Sequence, residues 1–282
     1  MGNKQQEKGY LTGQEILNEQ IHIGVKKGSH QYFIQSVLNG CLAGAFLSLG
    51  AFAALVASHG IGDYGLAKLV NATIFPIGLI LIVICGAELF TSNTLLIQAR
   101  LDGKITTKIY IINLIIIYFT NAIGAASIAL LIHGAGILHN DANTIGGYIL
   151  HLAAVKIHYS AVQCICSGIM CNILVCCAVW GASAAHDIIS KVFFIWFAIM
   201  AFIIGGYEHC VANMFYFSLA LLAKTVPDFA LTAHLSSDEL ASINFSRILH
   251  NLIPVTIGNL IGGAIFIGVT YWIIHYRGYK SH

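Results

Sequence analysis

The sequence predicts an all-α membrane protein of six transmembrane helices, built as two inverted three-helix repeats with broken second and fifth helices. Three observations carry that prediction. Of the 282 residues, 57% are hydrophobic and only 9% are charged, against roughly 25% charged in soluble domains. The apolar residues fall into separate runs, several long enough for the roughly 20 helical residues that cross a hydrocarbon core of about 30 Å. A motif of the form G-x-E-x-x-x-x-N interrupts two of those runs in corresponding places.

Residues 1–30 read as a cytoplasmic, amphipathic N-terminal segment. Thr12-Gly13-Gln14-Glu15 fits a capping box, and Ile16, Leu17, Ile21 and Val25 then recur along one helix face. No short apolar core with a cleavage site follows, so no removable signal peptide is expected. Met1-Gly2 resembles the start of a myristoylation signal, but Gln6 stands where Ser or Thr is needed. Residues 31–282 form the six-helix transmembrane domain, with apolar runs at about 33–58, 67–98, 109–134, 158–185, 189–223 and 248–275. An even number of crossings puts both termini on one side. That side would hold Lys4, Lys8, Lys26, Lys27, Arg100, Lys104, Lys108, Lys191, Arg277 and Lys280, and the other only Lys68, Lys156, Lys224 and Arg247. The positive-inside rule makes both termini cytoplasmic, and the plasma membrane is the expected location.

The repeats run over about 31–135 and 156–276. In the second span Gly86-Ala87-Glu88 leads to Asn93, and in the fifth Gly206-Tyr207-Glu208 leads to Asn213. The third and sixth spans echo each other too. Asn113-Leu114-Ile115 leads to Asn121 and Gly124, and Asn251-Leu252-Ile253 leads to Asn259 and Gly262, at identical spacing. Three spans per repeat is an odd number, so the second repeat must insert upside down.

Several classes are excluded on composition. A formal net charge of +2 offers no basic field for nucleic acid. The 8 cysteines lie inside apolar runs and read as small buried hydrophobes, with neither disulfide nor zinc spacing. No cofactor or metal is expected. A haem protein would need histidines on facing helices at matched depth, yet of the 13 histidines only His209 is central in a span. A water channel should carry paired Asn-Pro-Ala motifs, and this chain has none.

Freed backbone groups in lipid must be satisfied internally or line a wet cavity, so paired breaks point to a pore. Half-helix N-termini bring partial positive charge to the centre and favour an anion. His209 is the strongest single candidate, as an ionisable group deep in a span. Thr91 reads equally as a pore-facing donor or as a cap for the half-helix after it. Glu88 and Glu208, with Asn93 and Asn213, read as structural supports of the breaks. Lys156 reads as a snorkelling lysine or an anion-attracting vestibule residue. Asn121, Asn172, Asn213 and Asn259 read by default as interhelical hydrogen-bonding residues. Phe75 and Phe202 precede the breaks, where rings either pack or constrict a pore. Gly40-x-x-x-Gly44 and Gly258-x-x-x-Gly262 permit close helix contact, within or between chains.

Taken together, Cys85 to Asn93, Lys156-Ile157-His158, Gly206-Tyr207-Glu208-His209 with Ala212-Asn213-Met214, and Asn251 to Asn259 make the chain resemble the formate/nitrite transporter family, nearest its formate-channel branch. The resemblance covers nearly the whole chain. It implies an aquaporin-like fold, a homopentamer with a pore in each protomer, and passage of a small monovalent anion such as formate or nitrite. It further implies that His209 is the central histidine, that Thr91 faces it, and that Asn259 lines the pore. Phe75, Leu79 and Phe202 would form constrictions, and Lys156 would draw anions to a vestibule. A proton passing to the weak acid at His209 would make transport a symport. No enzymatic activity is expected.

Overall fold

The structure is a computed structural model that describes residues 9–29 and 32–279. Lys4, Lys8, Lys280, Met1-Gly2 and Gln6 lie outside the described residues. Among the described residues there are helices and no strand; an isolated antiparallel bridge joins Tyr10 to Ala185. Five helical stretches are long and apolar enough to cross a membrane: Phe33–Ser58, Tyr64–Cys85, Thr107–Gly134, Ala161–Ala184 and Phe245–Tyr276. The run expected at 189–223 is divided between two shorter helices.

Helix α1 (Gly13–Lys27) begins with the capping box foreseen at Thr12 and Glu15, and its Ile16, Leu17 and Gln20 are buried against the body. Helix α2 (Phe33–Ser58) is the first span. The second comprises α3 (Tyr64–Ile74) and α4 (Ile77–Cys85), then the break, then α5 (Phe90–Asn93), a 3-10 turn Thr94–Leu96 and α6 (Ile97–Leu101). Helix α7 (Thr107–Gly134) comes next. Helix α8 (Thr144–Ile157) has only 14 residues, short of a crossing, and was not apparent from the hydropathy runs. Helix α9 (Ala161–Ala184) follows, then α10 (Ile188–Ile204), the second break and α11 (Cys210–Ala223). Two short helices, α12 (Pro227–Thr232) and α13 (Ser237–Ser242), lead to α14 (Phe245–Leu260), a π-helical stretch Ile261–Val269 and α15 (Thr270–Tyr279).

Two close crossings hold the bundle, and both use the glycines singled out by spacing. Helix α2 packs on α7: a Cβ added at Gly44 would strike the carbonyl oxygen of Asn121, and one at Gly124 that of Cys41. Helix α9 packs on α14: Gly258 faces the Ile165 carbonyl and Gly262 that of Ile169. Both small-residue motifs are therefore used within the chain. In lipid, where association has no hydrophobic drive, such backbone approach maximises dispersion contact. Along the outward faces, large side chains such as Ile34, Leu131, Phe197 and Ile253 remain exposed, as suits a lipid or protein neighbour.

Candidate pore and its central histidine

The two breaks are built alike. Gly86 and Gly206 adopt φ of 79° and 67°, which frees the chain from helix geometry at little steric cost. The first half-helix after the break starts with Phe90 N donating to Asn121 Oδ1 at 2.8 Å; the second starts with Cys210 N donating to Asn259 Oδ1 at 2.9 Å. Asn121 Nδ2 donates to the carbonyls of Gly40 and Glu88, and Asn259 Nδ2 donates to those of Gly168 and Glu208. Asn93 Nδ2 bridges Glu88 and Asn113; Asn213 Nδ2 bridges Glu208 and Asn251. Phe90 N, Cys210 N and the carbonyls of Glu88 and Glu208 thus find buried side-chain partners, and Glu88 N donates to the Asn39 carbonyl.

This geometry changes the reading of Asn259. It is fully buried and is not part of any cavity wall near His209, and both of its amide hydrogens engage backbone carbonyls. No donor is left for an ion in the pore. The hydrogen-bonding role that burial alone suggests is the one its contacts fit, rather than the pore lining that the family resemblance implies.

The two breaks differ at one position. His209 occupies the place that Leu89 holds in the first break, counting from Gly206 and Gly86. As N-cap of α11, His209 Nδ1 accepts from the amides of Val211 and Ala212, both at 3.2 Å. With that lone pair occupied, the ring hydrogen belongs on Nε2, an assignment made from the hydrogen-bond pattern. Nε2 lies 3.0 Å from Thr91 Oγ1, so the two breaks meet at this contact. The Thr91 carbonyl accepts from Asn172 Nδ2 and Thr94 Oγ1, which fixes the residue from behind.

Aromatic rings close the approach to this pair. Phe75 and Phe202 meet edge to face at 5.7 Å between centroids, and Phe202 lies 6.1 Å from the His209 ring. Beyond them a gap of about 10 Å³ is lined by Leu47, Phe75, Leu79, Leu89, Phe202 and His209. It holds at most about one water. On one side opens a vestibule of about 210 Å³ lined by Lys68, Asn71, Lys156, Tyr207 and Glu208, with Phe75, Phe202 and His209 at its floor. A second cavity of about 440 Å³ is lined by Glu19, Lys27, Ile82, Ser92, His186 and Lys191.

Each break carboxylate takes a lysine. Lys156 Nζ donates to Glu208 Oε1 at 2.5 Å, and Lys27 Nζ donates to Asn93 Oδ1 at 2.7 Å while lying 3.6 Å from Glu88. Burial pushes the Lys27 ammonium below its ordinary range, against the opposing attraction of Glu88. Lys27 had no signal in the sequence, because its partner is 66 residues away. Leu89 was discoverable from the repeat register. Among the described residues no group of three or more His, Cys, Asp or Glu side chains could hold a metal.

Comparison with known proteins gives a consistent picture. The sequence profile described as "Formate/nitrite transporter" matches residues 14–273. The formate channel FocA of Escherichia coli (strain K12) is 36% identical over 248 residues, covering 85% of this chain and 86% of that protein. Among solved structures, an "FNT family ion channel" superposes with a TM-score of 0.80 at 28% identity, over 92% of this chain and 98% of that one. A "Pentameric formate channel with formate bound" gives 0.79 at 32% identity, over 88% and 99%.

Proposed function

This chain belongs to the formate/nitrite transporter family, and on that premise we propose that it is a plasma-membrane channel for small monovalent anions, formate foremost, working as a proton symporter. The observation that carries this reading is the buried His209 to Thr91 contact, set behind an aromatic constriction beneath a lysine-bearing vestibule. Nitrite, hydrosulfide, acetate and lactate are the alternative substrates. The six-crossing inverted arrangement, with both termini cytoplasmic and the Lys156 vestibule outside, is part of the proposal. So is the homopentamer with a pore in each protomer, which the pentameric neighbour supports. The chain acts as a transporter, not an enzyme.

The mechanism follows from cost. Moving a bare carboxylate into the gap lined by Leu79, Leu89, Phe75 and Phe202 would forfeit its hydration, a penalty of tens of kcal/mol on an idealised estimate. A neutral weak acid avoids most of it. The anion reaches the Phe75 and Phe202 ring, which must part to admit it, and meets the Nε2 hydrogen of His209 and the hydroxyl of Thr91. Nδ1 is engaged as a helix cap, so His209 acts there chiefly as a hydrogen-bond donor. A proton supplied by the outer solution and relayed through vestibule water joins the anion, and formate plus one proton crosses as formic acid.

The test is uptake of labelled formate into proteoliposomes by the wild type and by His209→Phe and His209→Asn, with nitrite, hydrosulfide and lactate as competitors. The reading predicts a large loss of rate in His209→Phe, which has no donor for the anion, and a smaller loss in His209→Asn, which keeps one. Unchanged rate and pH dependence would sink it.

A further inference from the structure

The rim beside the vestibule gathers histidines that the pore mechanism does not use. A cavity of about 300 Å³ is lined by His59 at the end of α2, Asp141 between α7 and α8, Tyr148 and His151 on α8, and His234 after α12. Tyr148 lines the vestibule as well, so the two cavities adjoin at that residue, and the His59 ring meets it edge to face with centroids 6.5 Å apart. His59 is held between two acceptors: Nδ1 lies 2.8 Å from the Val56 carbonyl oxygen and Nε2 3.1 Å from Asp141 Oδ2. Neither a carbonyl nor a carboxylate can donate, so the ring carries a hydrogen on both nitrogens and the pair is imidazolium with carboxylate, an assignment made from the hydrogen-bond pattern. The pair thus stores one exchangeable proton. The Asp141 side chain, which accepts from Thr144 Oγ1 at 2.7 Å, is 65% exposed, while that of His59 is 13% exposed. His151 and His234 are exposed, as is His139 two residues before Asp141, and imidazole is the side chain that trades protons near neutral pH. Glu239 on α13 belongs to the same field: hydrogen bonds from Ser236 hold its carboxyl below the ordinary 4.5, with smaller pulls from His158 and His151. No lysine or arginine lines this cavity, in contrast to the vestibule with Lys68 and Lys156, so no permanent cation there repels an arriving proton.

We infer that this rim is a proton-collecting site for the symport: the His59 and Asp141 pair, with His151 and His234, takes protons from buffer acids in the outer solution and passes them through water, past Tyr148, to the anion waiting in the vestibule. This deepens the function proposed above and rests on it. In each cycle His59 Nε2 gives its proton to a water molecule, that water passes a proton to a formate oxygen, and a buffer acid returns one proton to the ring. Formate and proton then cross together, and the rim is left as it began. The need is one of supply. At a diffusion limit of about 10⁹–10¹⁰ M⁻¹ s⁻¹, free protons at pH 7 reach a single site only roughly 10²–10³ times a second. A rim that presents several bases to the buffer raises that rate without altering the constriction. The plainer alternative is a set of solvated histidines with no part in transport.

The experiment measures initial formate uptake into proteoliposomes at neutral pH, in dilute and in concentrated impermeant external buffer, with the lumen strongly buffered. It compares the wild type with Asp141→Asn and with a triple variant carrying His59→Gln, His151→Gln and His234→Gln. In dilute buffer the triple variant should be roughly three- to ten-fold slower than the wild type. Concentrated buffer should restore it, because buffer acids then carry protons to the vestibule directly. Asp141→Asn should show the same deficit at smaller amplitude. Should the triple variant fail to fold, as judged by size-exclusion chromatography, the double variant His151→Gln with His234→Gln keeps the His59 and Asp141 pair and should still show a buffer-dependent deficit. Wild-type rates in dilute buffer overturn the inference while the symporter stands. A deficit that concentrated buffer leaves in place overturns it too, since that marks damage to the pore and not a shortage of protons. Wild-type uptake of formate without proton entry, or no uptake at all, overturns both readings.

Discussion

Replacing Asn259 by Leu tests the structural account of the breaks. The substitution removes the acceptor for Cys210 N and the donors to the Gly168 and Glu208 carbonyls, leaving Cys210 N and the Glu208 carbonyl without a partner and the Gly168 carbonyl with its helical bond alone. An unpaired buried group costs about 1–3 kcal/mol, although bonds measured between membrane helices average nearer 0.6 kcal/mol. Gly168 lies inside α9 and loses least; Cys210 N and the Glu208 carbonyl lie at the break and lose most. The expected sum is about 2–6 kcal/mol, or a fall in Tm of roughly 5–20 °C in detergent. Asn121→Leu makes the same losses at Phe90, Gly40 and Glu88, far from any vestibule wall, and should fall by a similar amount. The assay is thermal unfolding followed by size-exclusion chromatography, alongside formate uptake. A pore-lining asparagine would instead lose transport with its Tm intact, and only at position 259. Wild-type Tm in Asn259→Leu, or a large cost there with none at Asn121, would refute the reasoning.

Three further outcomes follow. Thr91→Val keeps shape but removes the acceptor for His209 Nε2, and uptake should fall roughly 5- to 100-fold with the protein still folded; stopped-flow uptake would show it. Gly124→Ala puts a Cβ into the Cys41 carbonyl at the crossing of α2 and α7 and should sharply reduce the yield of folded protein, whereas Gly60→Ala, with open space around it, should be neutral; size-exclusion profiles would compare the two. Hydrogen bonds from Thr144 and His59 hold the Asp141 carboxyl below its ordinary 3.8. That contribution is fully present above pH 3.8 and lost as pH falls through the lower folded value. Amide protection of the 139–144 segment should therefore drop on strong acidification, and hydrogen exchange would measure it.

Much of this architecture could be read in the sequence because its devices are local. A glycine, a carboxylate and an asparagine at fixed spacing declare a break, and two such breaks in register declare a repeat. The Gly40 and Gly44 pair and the Gly258 and Gly262 pair announced the crossings. What stayed hidden depends on contacts between distant segments. Lys27 reaches Glu88 only once α1 has docked, and Tyr10 meets Ala185 only then. Helix α8 was missed because it is apolar yet too short to span. The π-helical stretch follows Leu260 where Gly263 lies against Thr94 and Asn172, an approach no periodicity encodes. Asn259, a polar residue in an apolar run, bonds backbone groups through its side chain, which matches the default reading of such a residue.

The central claim is that the anion crosses the His209 and Thr91 gap with a proton. It is tested most directly by following labelled formate and lumenal pH together in proteoliposomes at clamped zero voltage, with protein-free vesicles subtracted. The account predicts saturable uptake that quickens as external pH falls, with the lumen acidifying in step at about one proton per formate. Formate entry without acidification, driven instead by an imposed voltage, would mean that the bare anion crosses and would contradict it.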